Sequence, residues 1–132
     1  MATVTKAVIY RDFDLRFLAH PVTGKLVIKK NSDAVKQAVK NLILTNFYER
    51  PYRPNFGSSV RGHLFENYTA FTEESLQYGI KTALENFEPR VELLDIRFGG
   101  NPDRNELTIS IIFRPINTVE NITLNLNMER VR

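Results

Sequence analysis

Carboxylates are the side chains of this sequence with the clearest potential for chemistry. Glycoside hydrolysis needs only two of them, about 5–10 Å apart. The chain has no tryptophan, a residue that often stacks on sugars, and most glutamates on helices of this kind are solvated. Hydrolysis is therefore the less favoured interpretation. The glutamates from which a catalytic pair could be drawn are Glu66, Glu85, Glu88 and Glu92.

Other catalytic and ligand-binding motifs are absent from the sequence. The two histidines, His20 and His63, stand 43 positions apart in no metal-binding pattern, and both are best explained as structural or surface residues. There is no cysteine, which excludes disulfides and thiolate chemistry. No nucleophile elbow or phosphate-binding glycine loop occurs, and Gly99-Gly100 falls in a predicted hairpin loop. We therefore predict no enzymatic activity, no metal and no cofactor.

The segment Glu88-Pro89-Arg90 breaks a local rule at the predicted end of a helix. Glu85 and Glu88 lie in its last turn, where an acidic residue costs about 0.3–1 kcal/mol relative to a cation. Pro89 fixes the direction in which the chain leaves, and Arg90 supplies a planar fork suited to carboxylates or carbonyls. Two interpretations stay open: an internal Glu88–Arg90 ion pair that closes the helix, or a rigid charged docking corner.

The connector Glu49–Gly57 is the second unusual segment. It contains two prolines, two aromatic residues and two arginines, a composition typical of interface hot spots. Arg50 is the residue we expect to contact a partner. The alternative, at least as well supported, is a loop pinned to its own core by Tyr52 and Phe56.

The first half of the chain predicts a hairpin and three helices. Alternation over 13–17 and a second strand at 26–28, separated by turn residues, indicate the hairpin. A helix begins near Asn31-Ser32-Asp33 and cannot pass Arg50, because Pro51 follows. Ser58 or Ser59 caps a second helix with Val60, Leu64, Phe65 and Tyr68 on one stripe. A third is capped by Thr72 and stopped by Pro89.

The last third predicts three strands of an antiparallel sheet. They cover 91–98, the segment of alternating apolar residues 107–113, and 121–129. In the final strand one face is apolar and the other polar. It is our candidate for a free edge, and its polar residues are Asn121, Thr123, Asn125 and Asn127. The predicted fold class is α+β, an antiparallel sheet with two to three helices packed on one face.

The length and charge of the chain limit the number of domains and the kinds of partner that we expect. The 132 residues predict a single domain spanning 1–132. No stretch approaches the ~20 apolar residues of a membrane span, and residues 1–10 do not have the pattern of a signal peptide. The net charge of +3 is dispersed, with Lys29-Lys30 the only adjacent basic pair. We therefore expect neither a nucleic-acid nor a membrane partner.

Taken together, these segments resemble the baseplate wedge and sheath-initiator family of contractile phage tails, which has a counterpart in type VI secretion baseplates. The resemblance runs in order through nearly the whole chain. The size of the chain and the style of its sequence suggest a large myovirus. The sequence departs from the family pattern at Phe47-Tyr48, where a glycine-containing turn is expected. The segments that carry the resemblance are Asp12-Phe13-Asp14-Leu15, His20-Pro21-Val22-Thr23-Gly24, Asn41-Leu42-Ile43-Leu44-Thr45-Asn46, Glu49-Arg50-Pro51, Pro54-Asn55-Phe56-Gly57-Ser58, Leu64-Phe65-Glu66 and Glu88-Pro89-Arg90.

The resemblance implies a structural role in the virion, after assembly in the host cytoplasm. It implies that Glu88, Pro89 and Arg90 dock onto other wedge subunits beside the tail tube, with tube-proximal proteins as further partners. It also implies that the sheet receives strands from sheath protein and so templates the first sheath ring. Members of the family have been labelled lysozyme-like, so a peptidoglycan-degrading hydrolase is the alternative function.

Overall fold

A three-stranded antiparallel sheet carries the helices of this protein on one face. The computed structural model describes residues 9–116 and 118–129. The α+β prediction is confirmed. In chain order the elements are β1 (Arg11–Phe13), β2 (Ile28–Lys30), α1 (Asn31–Leu44), α2 (Val60–His63), α3 (Ala70–Phe87), β3 (Val91–Gly99), a 3-10 turn (Pro102–Arg104), β4 (Glu106–Pro115) and β5 (Ile122–Glu129).

The sheet has the order β3-β4-β5, so β4 is its central strand. Every second residue of β4 from Leu107 to Pro115 is buried, because these side chains point toward the helices. The eight pairs between β4 and β5 run from Glu106↔Glu129 to Phe113↔Ile122 without a shift of register. The predicted periods of these strands are confirmed, and the bounds of the three predicted strands differ from those observed by no more than two residues.

The helices α1 and α3 pack side by side on the inner face of the sheet. Their apolar stripes recur at three- and four-residue spacing and meet the inward residues of all three strands in one core. No helix in the described ranges is long and apolar enough to cross a membrane. The core consists of Val35, Val39, Leu42, Ile43, Val60, Leu76, Ile80, Ala83, Leu84, Ile96, Leu107, Ile109, Ile111, Phe113, Leu124, Leu126 and Met128.

The N-terminal hairpin forms, but it does not have the predicted strands. β1 covers only Arg11–Phe13 and pairs with β2, while Leu15 and Arg16 lie in a turn. The predicted burial is also wrong: Phe13 and Leu15 are more than half exposed and Asp14 between them is buried. Asp14 is inside because Arg16 folds back onto its carboxylate. We call residues 11–30 the arm.

Helix starts are where the predictions fail most. Asn31 does not cap α1; its side-chain oxygen accepts hydrogen bonds from the backbone of Ile9 and Tyr10 instead. The cap of α3 is Thr69, and Thr72 is its partner in a capping box. The second helix is a four-residue turn, and its predicted stripe residues Phe65 and Tyr68 are exposed.

The connector that follows α1 is held against the helix end by backbone contacts. Ser58 N–H donates to Thr45 O at 2.8 Å, and the Ser58 hydroxyl donates to Ile43 O at 2.5 Å. Gly57 has φ +126, and a Cβ there would lie 2.4 Å from Thr45 O. The close approach therefore requires glycine. Tyr48 lies in the left-handed region, at φ 65, where the resemblance suggested a glycine-containing turn.

Candidate docking surfaces

The Glu88–Arg90 corner is built where α3 ends and β3 begins. Arg90 Nε donates to Glu88 Oε1 at 2.5 Å, and Arg90 NH2 donates to Glu88 Oε2 at 2.9 Å. The Glu88 side chain is only 7% exposed. The arginine thus offsets the unfavourable position of an acid at a helix C-terminus. The first of the two open interpretations, the internal ion pair, is present in the structure.

The ion pair holds Arg90 in a fixed orientation without covering it. Its guanidinium also lies over the ring of Tyr10, 5.2 Å from the centroid. The hydrogen bonds to Glu88 raise the pKa of Arg90 above its usual value, so it stays cationic. Of the five N–H groups of a guanidinium, two point to Glu88. The other three are directed away from it, on a side chain that is one third exposed.

Arg50 belongs to an aromatic cluster that reaches the same corner. Its guanidinium lies 4.8 Å from the ring centroid of Phe56. Phe56 in turn packs edge-on against Phe87, with centroids 5.1 Å apart. Because Phe87 immediately precedes Glu88, the connector and the corner are physically linked. Phe56 is half-buried as the pinned-loop interpretation predicted, whereas Tyr52 is fully exposed.

The β5 strand is an edge of the sheet. It pairs with β4 on one side, and no other described strand pairs with its second side. Thr123, Asn125 and Asn127 are exposed on the outer face, as predicted. Asn121 lies one residue before the strand, so the predicted edge is one residue too long. In an antiparallel pair alternate residues direct N–H and C=O away from the partner, and those of β5 are available for a further strand.

The opposite edge, β3, is less suited to pairing. Its register shifts between Leu93 and Asp95, which is a bulge. Beyond the bulge Arg97 Nε donates to Asp95 Oδ2 at 2.9 Å on the exposed strand. Bulges and charged side chains are features that discourage a strand from pairing with another chain. Of the two edge strands of this sheet, β5 is therefore better suited than β3 to pair with a further strand.

Glu66 lies far from the other candidate catalytic glutamates. Glu66 precedes α3 and Glu88 follows it, so a helix of 18 residues, about 27 Å long, separates them. Glu85 is exposed, and Glu92 pairs with Arg114 at 2.5 Å on the outer face of the sheet. The separation across α3 far exceeds the about 5–10 Å of a glycosidase pair.

A cavity of about 440 Å³ lies at the far end of the sheet, beside the N-terminal end of α3. His63 Nδ1 and Glu66 Oε2 are 2.7 Å apart on its wall, and Tyr68 hydrogen-bonds to Glu73. Partial desolvation of its hydroxyl and the hydrogen bond to the Glu73 carboxylate raise the pKa of Tyr68 to about 12, so the hydroxyl stays protonated near neutrality. No group of acids and histidines in the described ranges could hold a metal. His20 lies in the exposed arm, where its Nδ1 accepts from Val22 N–H.

Sequence reasoning missed three contributors to these surfaces. The contacts of Tyr10 with Arg90 and of Phe87 with Phe56 could not be predicted from the sequence, because each joins chain segments that are distant in sequence. The Asp14–Arg16 pair could have been found, since its acid-x-arginine spacing is the same as in Glu88–Arg90. Its carboxylate is 3% exposed and its guanidinium 70% exposed.

Comparisons with known proteins single out one family. The sequence profile of the family described as baseplate wedge protein gp25 matches residues 29–118. The chain is 30% identical over 89 residues to the baseplate wedge protein gp25 of Enterobacteria phage T4, a match that covers 67% of each protein. The matched profile contains α1, the connector, the corner and β4, and it ends before β5.

Similar folds occur in solved structures. A putative tail lysozyme from Geobacter sulfurreducens matches with a TM-score of 0.65 at 24% identity, over 74% of this chain and 89% of that chain. A chain of the anti-feeding prophage baseplate matches with a TM-score of 0.63 at 19% identity, over 89% and 83%. A chain of the postcontracted pyocin R2 baseplate matches with a TM-score of 0.55 at 16% identity, over 92% and 100%. At these identities the likeness shows the fold alone.

Proposed function

Since the chain belongs to the gp25 family of baseplate wedge proteins, we propose that it is a structural, non-enzymatic subunit of the inner baseplate of a contractile tail. It docks onto other wedge subunits through the Glu88–Arg90 corner and templates the first ring of sheath by accepting a strand at β5. The observation that carries the proposal is the pre-oriented, partly exposed Arg90 beside a buried Glu88.

The corner has the physical properties of a docking site. Binding normally costs about 0.5–1.5 kcal/mol for each flexible side chain that becomes immobilised. Arg90 is already held by Glu88 and Tyr10, so most of that cost falls on folding and not on docking. Its free N–H groups suit carboxylates or backbone carbonyls of a partner. Arg50, stacked on Phe56, is a second cation, which the contact between Phe56 and Phe87 connects to the corner.

Co-expression with the other wedge subunits tests the docking. Arg90→Lys keeps a charge beside Glu88, so the fold is retained, but it removes the planar fork. We expect the wedge complex to be lost or weakened at least about tenfold, measured by size-exclusion chromatography and affinity capture. Arg90→Ala is a harsher test, because it leaves the Glu88 carboxylate without its partner. Circular dichroism checks the fold of each variant.

Arg97→Ala is the matched control. Arg97 forms the same acid-x-arginine pair with Asp95, but on the exposed sheet surface outside the corner. The proposal requires that this variant assemble normally. A folded Arg90→Ala protein that enters the baseplate at wild-type level would remove the docking role from the corner.

Strand addition at β5 is supported by the regularity and neutrality of that edge. Eight consecutive pairs with β4 show no bulge, and the exposed positions Thr123, Asn125 and Asn127 carry no charge. No bulge and no charge at these positions opposes a further strand, which would lie at the usual inter-strand spacing of about 4.8 Å. Family membership makes sheath protein the expected donor, with tube-proximal proteins as additional neighbours in the virion.

Hydrogen exchange tests this second contact without altering the fold. We expect alternate amides of β5 to become protected when sheath subunits are added to the baseplate complex, because outward N–H groups then donate to the new strand. Amides of β3 serve as the internal control and keep their exchange rates. Sheath that polymerises while β5 amides stay unprotected would contradict strand addition at this edge.

A further inference from the structure

A groove of about 620 Å³ runs beside the free edge of β5. One wall is the strand, the second is the polar flank of α1, and the third is the arm. Gln37 fixes the arm to the helix, because its Nε2 donates to Phe13 O at 2.7 Å. The charged residues that line the groove are Asp14, Arg16, Lys29, Asp33, Lys36 and Lys40.

The groove is basic. Four cationic and two acidic side chains line it, which leaves a formal charge of +2 from four minus two. One of the acids, Asp14, is 3% exposed and already bound by Arg16, whose NH2 lies 2.6 Å from Oδ2. Lys36 and Lys40 are both exposed and lie one turn apart on the same side of α1. The groove therefore presents lysines beside a row of backbone donors and acceptors with which no described strand pairs.

We propose that this groove selects the strand that adds to β5 by charge, and that its occupant is an extended acidic segment of a partner protein. The inference rests on the proposed function, in that it takes β5 as the place of strand addition. Alternate side chains of an added strand point to the helix side of the sheet. There Glu or Asp meets Lys36 and Lys40, whereas Lys or Arg is repelled.

Charge complementarity argues against the two terminal stretches of the given sequence as the occupant. Residues 1–8 contain one charged side chain, Lys6, and residues 130–132 contain Arg130 and Arg132. Neither stretch complements a basic groove. A nucleic acid would satisfy the cations but not a strand edge, which alternates donors with acceptors. The combination of edge and lysines favours a peptide.

Two labelled ten-residue peptides test the selection by fluorescence anisotropy. They share alternating valine and threonine residues and differ only at three alternate positions on one face, which are glutamate in one peptide and lysine in the other. We expect the glutamate peptide to bind about tenfold tighter, from two or three exposed ion pairs. That advantage should shrink as salt is raised from about 0.05 to about 0.3 M.

Charge reversal on α1 should invert the preference. The double variant Lys36→Glu, Lys40→Glu is expected to bind the lysine peptide better than the glutamate peptide. The matched control Lys25→Glu, Lys81→Glu changes the net charge equally at exposed positions outside the groove and keeps the original preference. Circular dichroism verifies that both variants are folded.

The outcomes separate this inference from the proposed function. If both peptides bind equally and protect β5 amides from exchange, strand addition stands and selection by charge is overturned. If neither peptide binds and the intact sheath subunit leaves β5 unprotected, both are overturned. A ten-nucleotide single-stranded DNA that binds tighter than the glutamate peptide would overturn a peptide as the occupant.

Discussion

Asp14 and Arg16 form the same acid-x-arginine pair as Glu88 and Arg90. In both, the acid is buried and the arginine covers it from the solvent side. The Arg16 guanidinium donates to both Asp14 oxygens, and the Arg16 backbone N–H donates to Oδ1 at 3.0 Å. These hydrogen bonds, with a smaller contribution from Lys29, hold the pKa of Asp14 well below its usual range.

That depressed pKa makes the arm sensitive to acid. A carboxyl whose folded pKa lies below its unfolded pKa, about 3.9 for aspartate, contributes stability above that value. The contribution is lost as the pH falls through the folded pKa. We therefore expect Asp14→Asn to lower the free energy of unfolding at pH 7, and the difference from wild type to shrink below about pH 4. Urea unfolding at pH 7, 5 and 3 measures it.

Asp95→Asn is the comparison variant, because Asp95 forms the same kind of pair on the open sheet face, 46% exposed. Exposed pairs contribute little, so this variant should unfold like wild type at every pH. A difference between Asp14→Asn and wild type that persisted unchanged at pH 3 would show that Asp14 acts through packing and not through its charge.

The failed predictions at residue scale share one cause. Alternation of apolar and charged residues in 13–17 indicated a buried apolar face, yet the arm extends from the core and its apolar side chains are exposed. Local pattern cannot show whether a second layer exists to cover a face. Glu88 and Arg90 were recognised because helix polarity makes an acid there unfavourable within the sequence itself.

Among the elements, α3 is the helix that positions the corner, and its start is well defined. Thr69 Oγ1 accepts from Thr72 N–H at 3.3 Å, and Thr72 Oγ1 accepts from Thr69 N–H at 3.3 Å. This capping box satisfies two N–H groups that would otherwise have no helical partner. The Thr72 hydroxyl also donates to Asn67 O at 3.0 Å, which ties the preceding loop to the helix.

Removing the cap should destabilise the protein without altering its docking surface. We expect Thr69→Ala to lower the free energy of unfolding by about 1 kcal/mol, measured by urea denaturation. Docking should remain intact, because the corner lies at the other end of an 18-residue helix. Thr69→Ser keeps the side-chain acceptor and is the control. Thr69→Ala stability equal to that of wild type would show that Thr69 is dispensable as a cap.

The long elements were predictable and the short ones were not. α1, α3, β4 and β5 have apolar periods that continue along their length, so the pattern alone identifies them. The four-residue α2 is too short to show a period. The cap of α3 was placed three residues late, because both Thr69 and Thr72 have side chains suited to a cap.

At the scale of the whole molecule, the corner and the free edge lie at neighbouring places on the sheet. Val91 pairs with Pro115, and Phe113 pairs with Ile122, so β5 begins at the end of the sheet where α3 turns into β3. Ile116 N–H donates to Arg90 O at 2.9 Å, which joins the corner to the loop that leads toward β5. β3 and β5 are two strand spacings apart, about 10 Å.

This arrangement predicts an order of events in assembly. Under the proposed function, a subunit that has not docked through the corner does not bring β5 to the sheath. The phenotype of a corner variant should therefore hide the phenotype of an edge variant. We expect Arg90→Ala tails to lack both this subunit and sheath. Replacing Thr123, Asn125 and Asn127 by glutamate should give baseplates that contain the subunit and lack sheath. The triple edge variant combined with Arg90→Ala should match Arg90→Ala alone, scored by electron microscopy and by the protein content of purified baseplates.

Two further results would contradict the proposal that the corner and the β5 edge are two docking surfaces of a structural subunit. Edge variants that still nucleate sheath, in baseplates that contain them at wild-type level, would assign the template to a different surface. Pure protein that clears peptidoglycan in a zymogram, and loses that activity in Glu66→Gln, would instead support the hydrolase. The distance between Glu66 and Glu88 across α3 excludes these two residues as a catalytic pair, so the second acid of a hydrolase would have to be Glu73 or Glu106, which line the same cavity as Glu66.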